Sequence, residues 1–275
     1  MNKSYDIVVI GAGLSSLMFL SRYIINNKDQ SILLIEKDAN KNINQTFCVW
    51  QGPGLIDIKN TYNLKPKHVW SKVEVSNEGL NIQRDISPYS YECFDGKETL
   101  SKLLSQCKKN ITYRKGFDVK KIKNNKNLIE VVTNEETIHT KFIVDSRNKI
   151  SKKQYDSPPN LKQVFVGNEI LSSKDQFNPE IIKLMSFKKN RKDVEFTYTL
   201  PFSRRHALIE TTLFSKSSSF VSIKKIHNES LSKYKKFKSA KEEKGIIPMI
   251  LDRDIIIKNN IPIGLSAGMA RPSTG

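Results

Sequence analysis

The chain is 275 residues long, 38% hydrophobic and 9% aromatic, with 46 Lys and Arg against 28 Asp and Glu, a formal net charge of +18. It is too apolar for a disordered tail and long enough for one large domain or two smaller ones. No stretch approaches the roughly 20 consecutive apolar residues of a membrane-spanning helix, so no helical span is expected.

In chain order, Tyr5 to Ile10 reads as a buried parallel strand, β-branched and almost continuously apolar. Gly11-Ala-Gly13-Leu-Ser-Ser16 follows, then a helical pattern through Leu17, Leu20, Tyr23 and Ile24. The glycines and serines, with no basic lead or cleavage site, set this run apart from a signal peptide. A polar turn at Asn26 to Gln30 leads into a second buried strand, Ser31 to Ile35, closed by Glu36. Strand character recurs at Val69 to Val75 and Gly79 to Arg84. Lys97 to Lys108 has helical periodicity, with Leu100, Leu103, Leu104 and Cys107 on one side. Short strands are expected at Ile111 to Tyr113, Val119 to Ile122, Leu128 to Thr133, Glu136 to His139 and Phe142 to Val144, the last ending at Asp145-Ser146-Arg147. The polar, proline-bearing stretch Ser151 to Asn160 reads as a domain crossing. Beyond it come longer strands: Val164 to Leu171, then Val194 to Leu200 and Ala207 to Phe214, a hairpin of an antiparallel sheet turning at Pro201 to His206.

The densest basic stretch, Lys224 to Lys244, reads as an amphipathic helix with Leu231, Tyr234 and Phe237 on one stripe. Its lysines suit either a solvated face or an anionic membrane surface. Elsewhere the positive charge is spread thinly, as AT-rich codon usage would leave it. There is no aromatic-interleaved basic ribbon and no zinc-finger spacing, so no nucleic-acid partner is expected. Cys48, Cys93 and Cys107 are odd in number and widely spaced, and the four histidines are scattered. Neither a disulfide framework nor a metal site is expected, and a reducing cytosol is the default compartment.

Gly11-x-Gly13-x-x-Ser16, between a strand and a helix and with Glu36 closing the next strand, is a variant of the dinucleotide fingerprint. Gly11 allows the tight turn and Gly13 a close backbone approach to pyrophosphate. The helix beginning near Leu14 offers unpaired N–H groups and the positive end of its dipole. Ser16 is small enough for helix–strand packing, and Glu36 can accept from ribose hydroxyls. The candidate cofactor residues are therefore Gly11, Ala12, Gly13, Leu14, Ser15, Ser16 and Glu36. The fingerprint alone does not separate FAD from NAD; its position early in the chain favours an FAD-dependent fold. Asp145 and Arg147, at a strand end, and the Gly-rich segment Gly268 to Gly275, with Pro272 and Thr274, are further candidates for the flavin or pyrophosphate.

These residues resemble the lycopene cyclase family, flavoproteins of carotenoid synthesis. Tyr5-Asp-Ile-Val-Val-Ile-Gly-Ala-Gly-Leu is similar to its FAD-binding start, Thr46-Phe-Cys-Val-Trp50 to its Thr-Trp-Cys-Phe-Trp segment, and Phe142-Ile-Val-Asp-Ser-Arg147 to its Asp-Ser-Arg strand end. The most specific piece runs from Phe177-Asn-Pro179 and Leu184-Met-Ser-Phe187 to Phe196-Thr-Tyr-Thr-Leu-Pro-Phe-Ser203 and Ala207-Leu-Ile-Glu-Thr-Thr-Leu-Phe-Ser215. Gly245-Ile-Ile-Pro-Met249 and Gly268-Met-Ala-Arg-Pro-Ser-Thr-Gly275 resemble its closing segments. The usual Gln-His-Phe-Lys-Gly-Trp departs to Gln163-Val-Phe-Val-Gly167-Asn168. Family members continue past Pro-Ser-Thr-Gly, so a C-terminal portion is expected to be missing here.

The resemblance implies an α/β fold: a Rossmann-like FAD-binding domain of the FAD/NAD(P)-binding superfamily, with an inserted antiparallel β-sheet substrate domain. The expected division is 1–60, 97–150 and 250–275 for the cofactor domain and 61–96 and 151–249 for the substrate domain. It also implies lycopene β-cyclase chemistry: a non-redox isomerisation of lycopene to gamma-carotene and beta-carotene, using reduced FAD with NADPH as its electron source. The implied setting is a bacterial cytoplasm, on the inner membrane's surface. Closing a ψ-end requires an acid strong enough to protonate an alkene yet still protonated at neutral pH, which a carboxyl in apolar surroundings provides. Glu210 lies in an apolar strand and by parity shares a face with Leu208, Thr212 and Phe214; the resemblance places the family's catalytic glutamate there too. Phe196 and Tyr198 could face a cation or simply fill a core, and Trp50 could face substrate, flavin or core. Other classes stay open: a monooxygenase or prenyl-chain reductase, or a carotenoid-binding relic without turnover.

Overall fold

The computed structural model describes residues 4–40, 43, 45–125, 128–147, 161–189, 193–216, 220–249 and 259–269. Their elements run β1 (Ser4–Ile10), α1 (Leu14–Asn26), β2 (Ile32–Glu36), β3 (Thr46–Gln51), α2 (Ile58–Tyr62), β4 (His68–Trp70), β5 (Lys72–Asn77), β6 (Leu80–Asp85), β7 (Ser90–Asp95) and α3 (Gly96–Cys107). They continue with β8 (Thr112–Lys115), β9 (Val119–Asn124), β10 (Ile129–Thr133), β11 (Thr137–Asp145), β12 (Leu161–Ser172), β13 (Ile181–Lys188), β14 (Val194–Ser203), β15 (His206–Ser215), α4 (Phe220–Leu231), β16 (Phe237–Met249) and β17 (Asn260–Pro262). The expected crossing at Ser151 to Asn160 lies outside the described residues. Two compact units emerge: Met1–Ile43, Lys97–Ile150 and Asp252–Arg271 form the first, and Asn44–Gly96, Ser151–Leu251 and Pro272–Gly275 the second.

The sheet of the first unit has the order β8-β2-β1-β11-β10-β9, with β17 also on β11. Strands β8, β2, β1, β11 and β17 are parallel, while β9 and β10 form an antiparallel meander with β11. Parallel strands are covered on both faces, which explains the unbroken apolar runs: Val8, Val9, Leu33 and Leu34 are fully buried. The segments expected as two strands, Glu136 to His139 and Phe142 to Val144, are one. The first half of β11 pairs with β10 and its last three residues with β17.

The second unit holds a seven-stranded sheet, β16-β12-β15-β14-β13-β5-β6, and a three-stranded one, β3-β7-β4. The large sheet is the inserted antiparallel sheet, with one parallel joint, β13 on β5. Val69 to Val75, expected as a single strand, breaks at Ser71 and serves both sheets as β4 and β5. Residues 44–60, expected in the cofactor domain, cluster with this unit because β3 pairs with β7 along its whole length. One face of the large sheet packs Val164, Val166 and Leu213 against Ile223 of α4, and Ile170, Ala207 and Ile209 against Leu231. The other packs Ile182, Leu184, Tyr198, Leu200 and Leu208 against Trp70, Tyr91 and Cys93.

The long basic helix expected over Lys224 to Lys244 does not form. Helix α4 stops at Leu231, and Phe237–Met249 is a strand on β12, the edge of the sheet. Between them Lys236 takes a positive φ of 49°, and Ser173 and Gln176 donate to the carbonyls of Lys236 and Lys235. Leu231, Tyr234 and Phe237 do gather on one side, but as core around Ile170, Ala207 and Ile209 rather than as an exposed stripe. Lysines along an edge strand discourage pairing with other chains. Helix α4 is pinned to the sheet by His227, whose Nε2 donates to Asn168 Oδ1 (2.9 Å) while Thr211 Oγ1 donates to its Nδ1 (3.0 Å). Burial holds this imidazole's pKa down to about 4. No described helix is long and apolar enough to cross a membrane.

Candidate active site and cofactor loop

The cofactor loop of the first unit is built by one glycine and two side chains. Gly11 has φ +91°, and a Cβ there would lie 2.4 Å from Ser146 Oγ. That hydroxyl donates to the Ile10 carbonyl at 2.8 Å. Gly13 is the extended N-cap of α1, with no side-chain cap and no acidic residue in the first turn. The space around it is open. Ser16 is fully buried, and its hydroxyl has no partner among the described residues. Glu36 reaches back into the loop: Oε2 accepts from the Ala12 N–H at 2.9 Å and Oε1 from the Asp38 N–H at 3.2 Å. An uncapped helix N-terminus behind bare glycine backbone fits a pyrophosphate.

Asp145 and Arg147 meet at the end of β11. Arg147 donates from Nε to Oδ1 (3.0 Å) and from Nη2 to Oδ2 (2.8 Å), and its Nη1 reaches the Val119 carbonyl (3.1 Å). The pair thus ties β11 to β9. The 3-10 turn Gly264–Ala267 brings Gly264 against Ser15: a Cβ on Gly264 would sit 2.9 Å from Ser15 Oγ. Gly268 closes that turn in the left-handed region, φ 72°. Pro272 and Thr274 lie outside the described residues.

In the second unit a row of residues crosses four adjacent strands. Glu243 of β16 is opposite Gly167 of β12, Gly167 opposite Glu210 of β15, and Glu210 opposite Tyr198 of β14. Glu210 is half-buried, and Thr212 donates to its Oε1 at 3.1 Å. Burial, then the nearby charge of Glu243, push its pKa up to about 8. Tyr198 donates to the Tyr91 hydroxyl at 2.5 Å, and Tyr91 takes Trp50 edge-on at 5.0 Å. Trp50 therefore packs against the core cluster that contains Tyr198. Burial raises both tyrosines well above the usual phenol range. Cys48 and Cys93 sit opposite each other on β3 and β7 as free thiols, and their mutual hydrogen bond raises Cys48 further than burial does.

Sequence reasoning placed Glu210 with Leu208, Thr212 and Phe214 and put Phe196 and Tyr198 on the partner strand, but missed Glu243, which it assigned to the basic helix, and Tyr91. The signal for Glu243 was the alternation Glu243, Gly245, Ile247 inside a run of charges. Among the described residues no group of three or more His, Cys, Asp or Glu is placed to hold a metal.

The fold is shared with flavoenzymes of known structure. A geranylgeranyl bacteriochlorophyll reductase-like protein from Thermoplasma acidophilum aligns with a TM-score of 0.69 at 12% identity, over 98% of this chain and 72% of its own. The halogenase PltM, solved with phloroglucinol and FAD, aligns at 0.64 and 11%, over 98% and 65%. The p-nitrophenol 4-monooxygenase PnpA from Pseudomonas putida DLL-E4 aligns at 0.66 and 10%, over 96% and 72%. The chain thus spans between about two thirds and three quarters of the length of these structures. Comparison with curated protein sequences gave no match. The architecture is the Rossmann-like fold of FAD-dependent flavoenzymes with an inserted sheet. Residues 6–275 match the family model for lycopene cyclase protein, and the chain belongs to that family.

Proposed function

We propose that the protein is a lycopene β-cyclase, converting lycopene to gamma-carotene and beta-carotene, with Glu210 as the proton donor. The observation that carries this reading is a carboxyl, Glu210, opposite Tyr198 in the aromatic face of a sheet, whose pKa is pushed up to about 8 by burial and by Glu243. Its O–H bond breaks as a C–H bond forms at the inner carbon of the terminal double bond, leaving a tertiary cation on the dimethyl-bearing carbon. The next double bond closes the ring, and a ring carbon then returns a proton to the carboxylate. Nothing is oxidised or reduced overall. Tyr198, Tyr91 and Trp50 offer π faces that favour a cation formed beside Glu210.

The loop residues Gly11, Ala12, Gly13, Leu14, Ser15 and Ser16 would hold the pyrophosphate of FAD. Glu36 would exchange its bond to the Ala12 N–H for one to a ribose hydroxyl, and Asp145, Arg147 and the Gly268 turn would frame the loop. Bound to these residues, reduced FAD would supply negative charge, which favours a cation, and NADPH is the proposed reductant. The lipid-soluble substrate calls for peripheral attachment to the inner membrane from the cytoplasm. Exposed Phe220 and Val221 beside Lys224 and Lys225 on α4 are suited to that contact. Because the fold is also that of reductases and monooxygenases, the second reading is flavin redox chemistry, which has no use for a protonated Glu210.

Expression in lycopene-accumulating cells, with pigments separated by chromatography, tests the reading. Wild type yields cyclic carotenoid and Glu210→Gln leaves lycopene, a loss of at least about 10²–10⁴-fold. Cyclic product from Glu210→Gln at near wild-type level refutes Glu210 as the acid.

A further inference from the structure

Glu243 is a carboxyl that the chemistry above does not use. It is 8% exposed, and its Oε2 is buried with no hydrogen-bond partner among the described residues. Thr46 of β3 lies against this carboxyl and opposes the upward push of burial. Between it and Glu210 stands only Gly167. A Cβ on that glycine would touch Glu210 Cβ and Glu243 Cγ, each at 3.4 Å. The absent side chain leaves nothing on β12 standing between the two glutamates.

We propose, resting on the cyclase reading, that Glu243 is a positioning residue for Glu210: the two carboxyls hold one proton between them, and the charge on Glu243 keeps that proton on Glu210 until substrate takes it. Two carboxylates in one row of a poorly solvated face cannot both ionise cheaply. When Glu210 gives its proton to the alkene, the pair carries two negative charges beside the cation. That arrangement offsets part of the cation's cost and favours return of the departing ring proton to Glu210. The bond changes are those already given, and no further reactant enters. Burial raises Glu243 as well, the largest influence on it, while Lys241 and Thr46 pull it back down.

The other titratable groups facing the pair are Glu169 on β12, Lys241 on β16, Tyr198 on β14, Tyr91 and Cys93 on β7 and Cys48 on β3. A thiol's ordinary pKa, about 8.5, falls inside a titration between pH 5 and 9, so it is the carboxyl band and its glutamate label that isolate the pair.

The test is an infrared difference titration of the protonated carboxyl band in the purified full chain, with glutamate carboxyls labelled with ¹³C and the band identified by its loss in Glu210→Gln. Glu243→Gln should move the Glu210 midpoint down by at least one pH unit, a tenfold loss of proton affinity. Glu243→Asp should move it by less in the same direction. Glu210→Gln mimics the protonated acid beside which Glu243 already titrates, so it should leave the Glu243 midpoint unmoved. Glu243→Asp and this measurement stand if Glu243→Gln fails to fold. An unchanged Glu210 midpoint in a folded Glu243 variant, or a fall of the Glu243 midpoint by a unit or more in Glu210→Gln, overturns the proposal. The titration needs no turnover. If the midpoints shift but no variant or wild type makes cyclic pigment, the pair stands and the cyclase reading falls.

Discussion

Glu169 and Glu210 lie on the same face of one sheet, on neighbouring strands, yet their carboxyls are driven in opposite directions. Burial pushes both upward. At Glu169 it is outweighed by hydrogen bonds from His206 (2.6 Å) and Lys67 (2.7 Å), which hold the group at about 2. At Glu210 no cation intervenes, a second carboxyl adds to the effect of burial, and the pKa reaches about 8. Depth alone therefore does not distinguish an ionised carboxylate from a carboxyl that holds its proton; the identity of the neighbours does.

The largest expected break in this contrast is in folding stability at pH 8. Glu169→Gln leaves Lys67 and His206 facing a neutral amide oxygen in place of a carboxylate and should cost about 1–3 kcal/mol. Glu210→Gln removes a charge that the fold accommodates poorly, and should raise the denaturant midpoint. Matched urea titrations of the two variants read the opposite signs. If both destabilise equally, the contrast fails.

The pH dependence sharpens it. Glu169 has a folded pKa below its ordinary 4.5, so its contribution is complete above that value and is lost as pH falls from 4.5 towards 2. Glu210 has a raised folded pKa, so its contribution is complete below 4.5 and is lost as pH rises through about 8. The gap between wild type and Glu210→Gln should accordingly be near zero at pH 4.5 and widen to pH 8. Thermal midpoints across that range check it.

His227 gives the smallest and most separable effect. Its pKa of about 4 means that acidification from 6.5 to 4 protonates the unfolded chain first and weakens the docking of α4. His227→Gln should flatten that part of the stability curve while leaving the arm above pH 7 unchanged.

What was legible in the sequence follows from how each signal is carried. The turn from Tyr5 to Glu36 could be read because its parts are near in sequence and each residue type has one physical use there. Glu210 could be read because alternation in β15 is uninterrupted. Glu243 was hidden because β16 is an edge strand whose outward lysines blur its period of two into an apparent helical face. The break at Ser71 was hidden because both flanking strands alternate alike, and the parallel joint of β13 with β5 joins segments far apart in the chain. The pairing of Asp145 with Arg147 needed only two-residue spacing, but its tie to Val119 needed the fold.

The contact of Ser146 with Gly11 has a consequence for how the protein is made. The hydroxyl that fills the hollow of the first turn is 135 residues downstream of it. During synthesis the β1–α1–β2 segment leaves the ribosome long before β11, and β1 then lacks its neighbour on that side. The nucleotide turn is thus completed late, by a strand that must slot in beside one already emerged. Long-range parallel pairing of this kind is slow and leaves an apolar edge uncovered in the meantime. A growing chain halted before residue 146 should accordingly be sticky rather than cofactor-ready, a vulnerability of biogenesis and not of the finished fold.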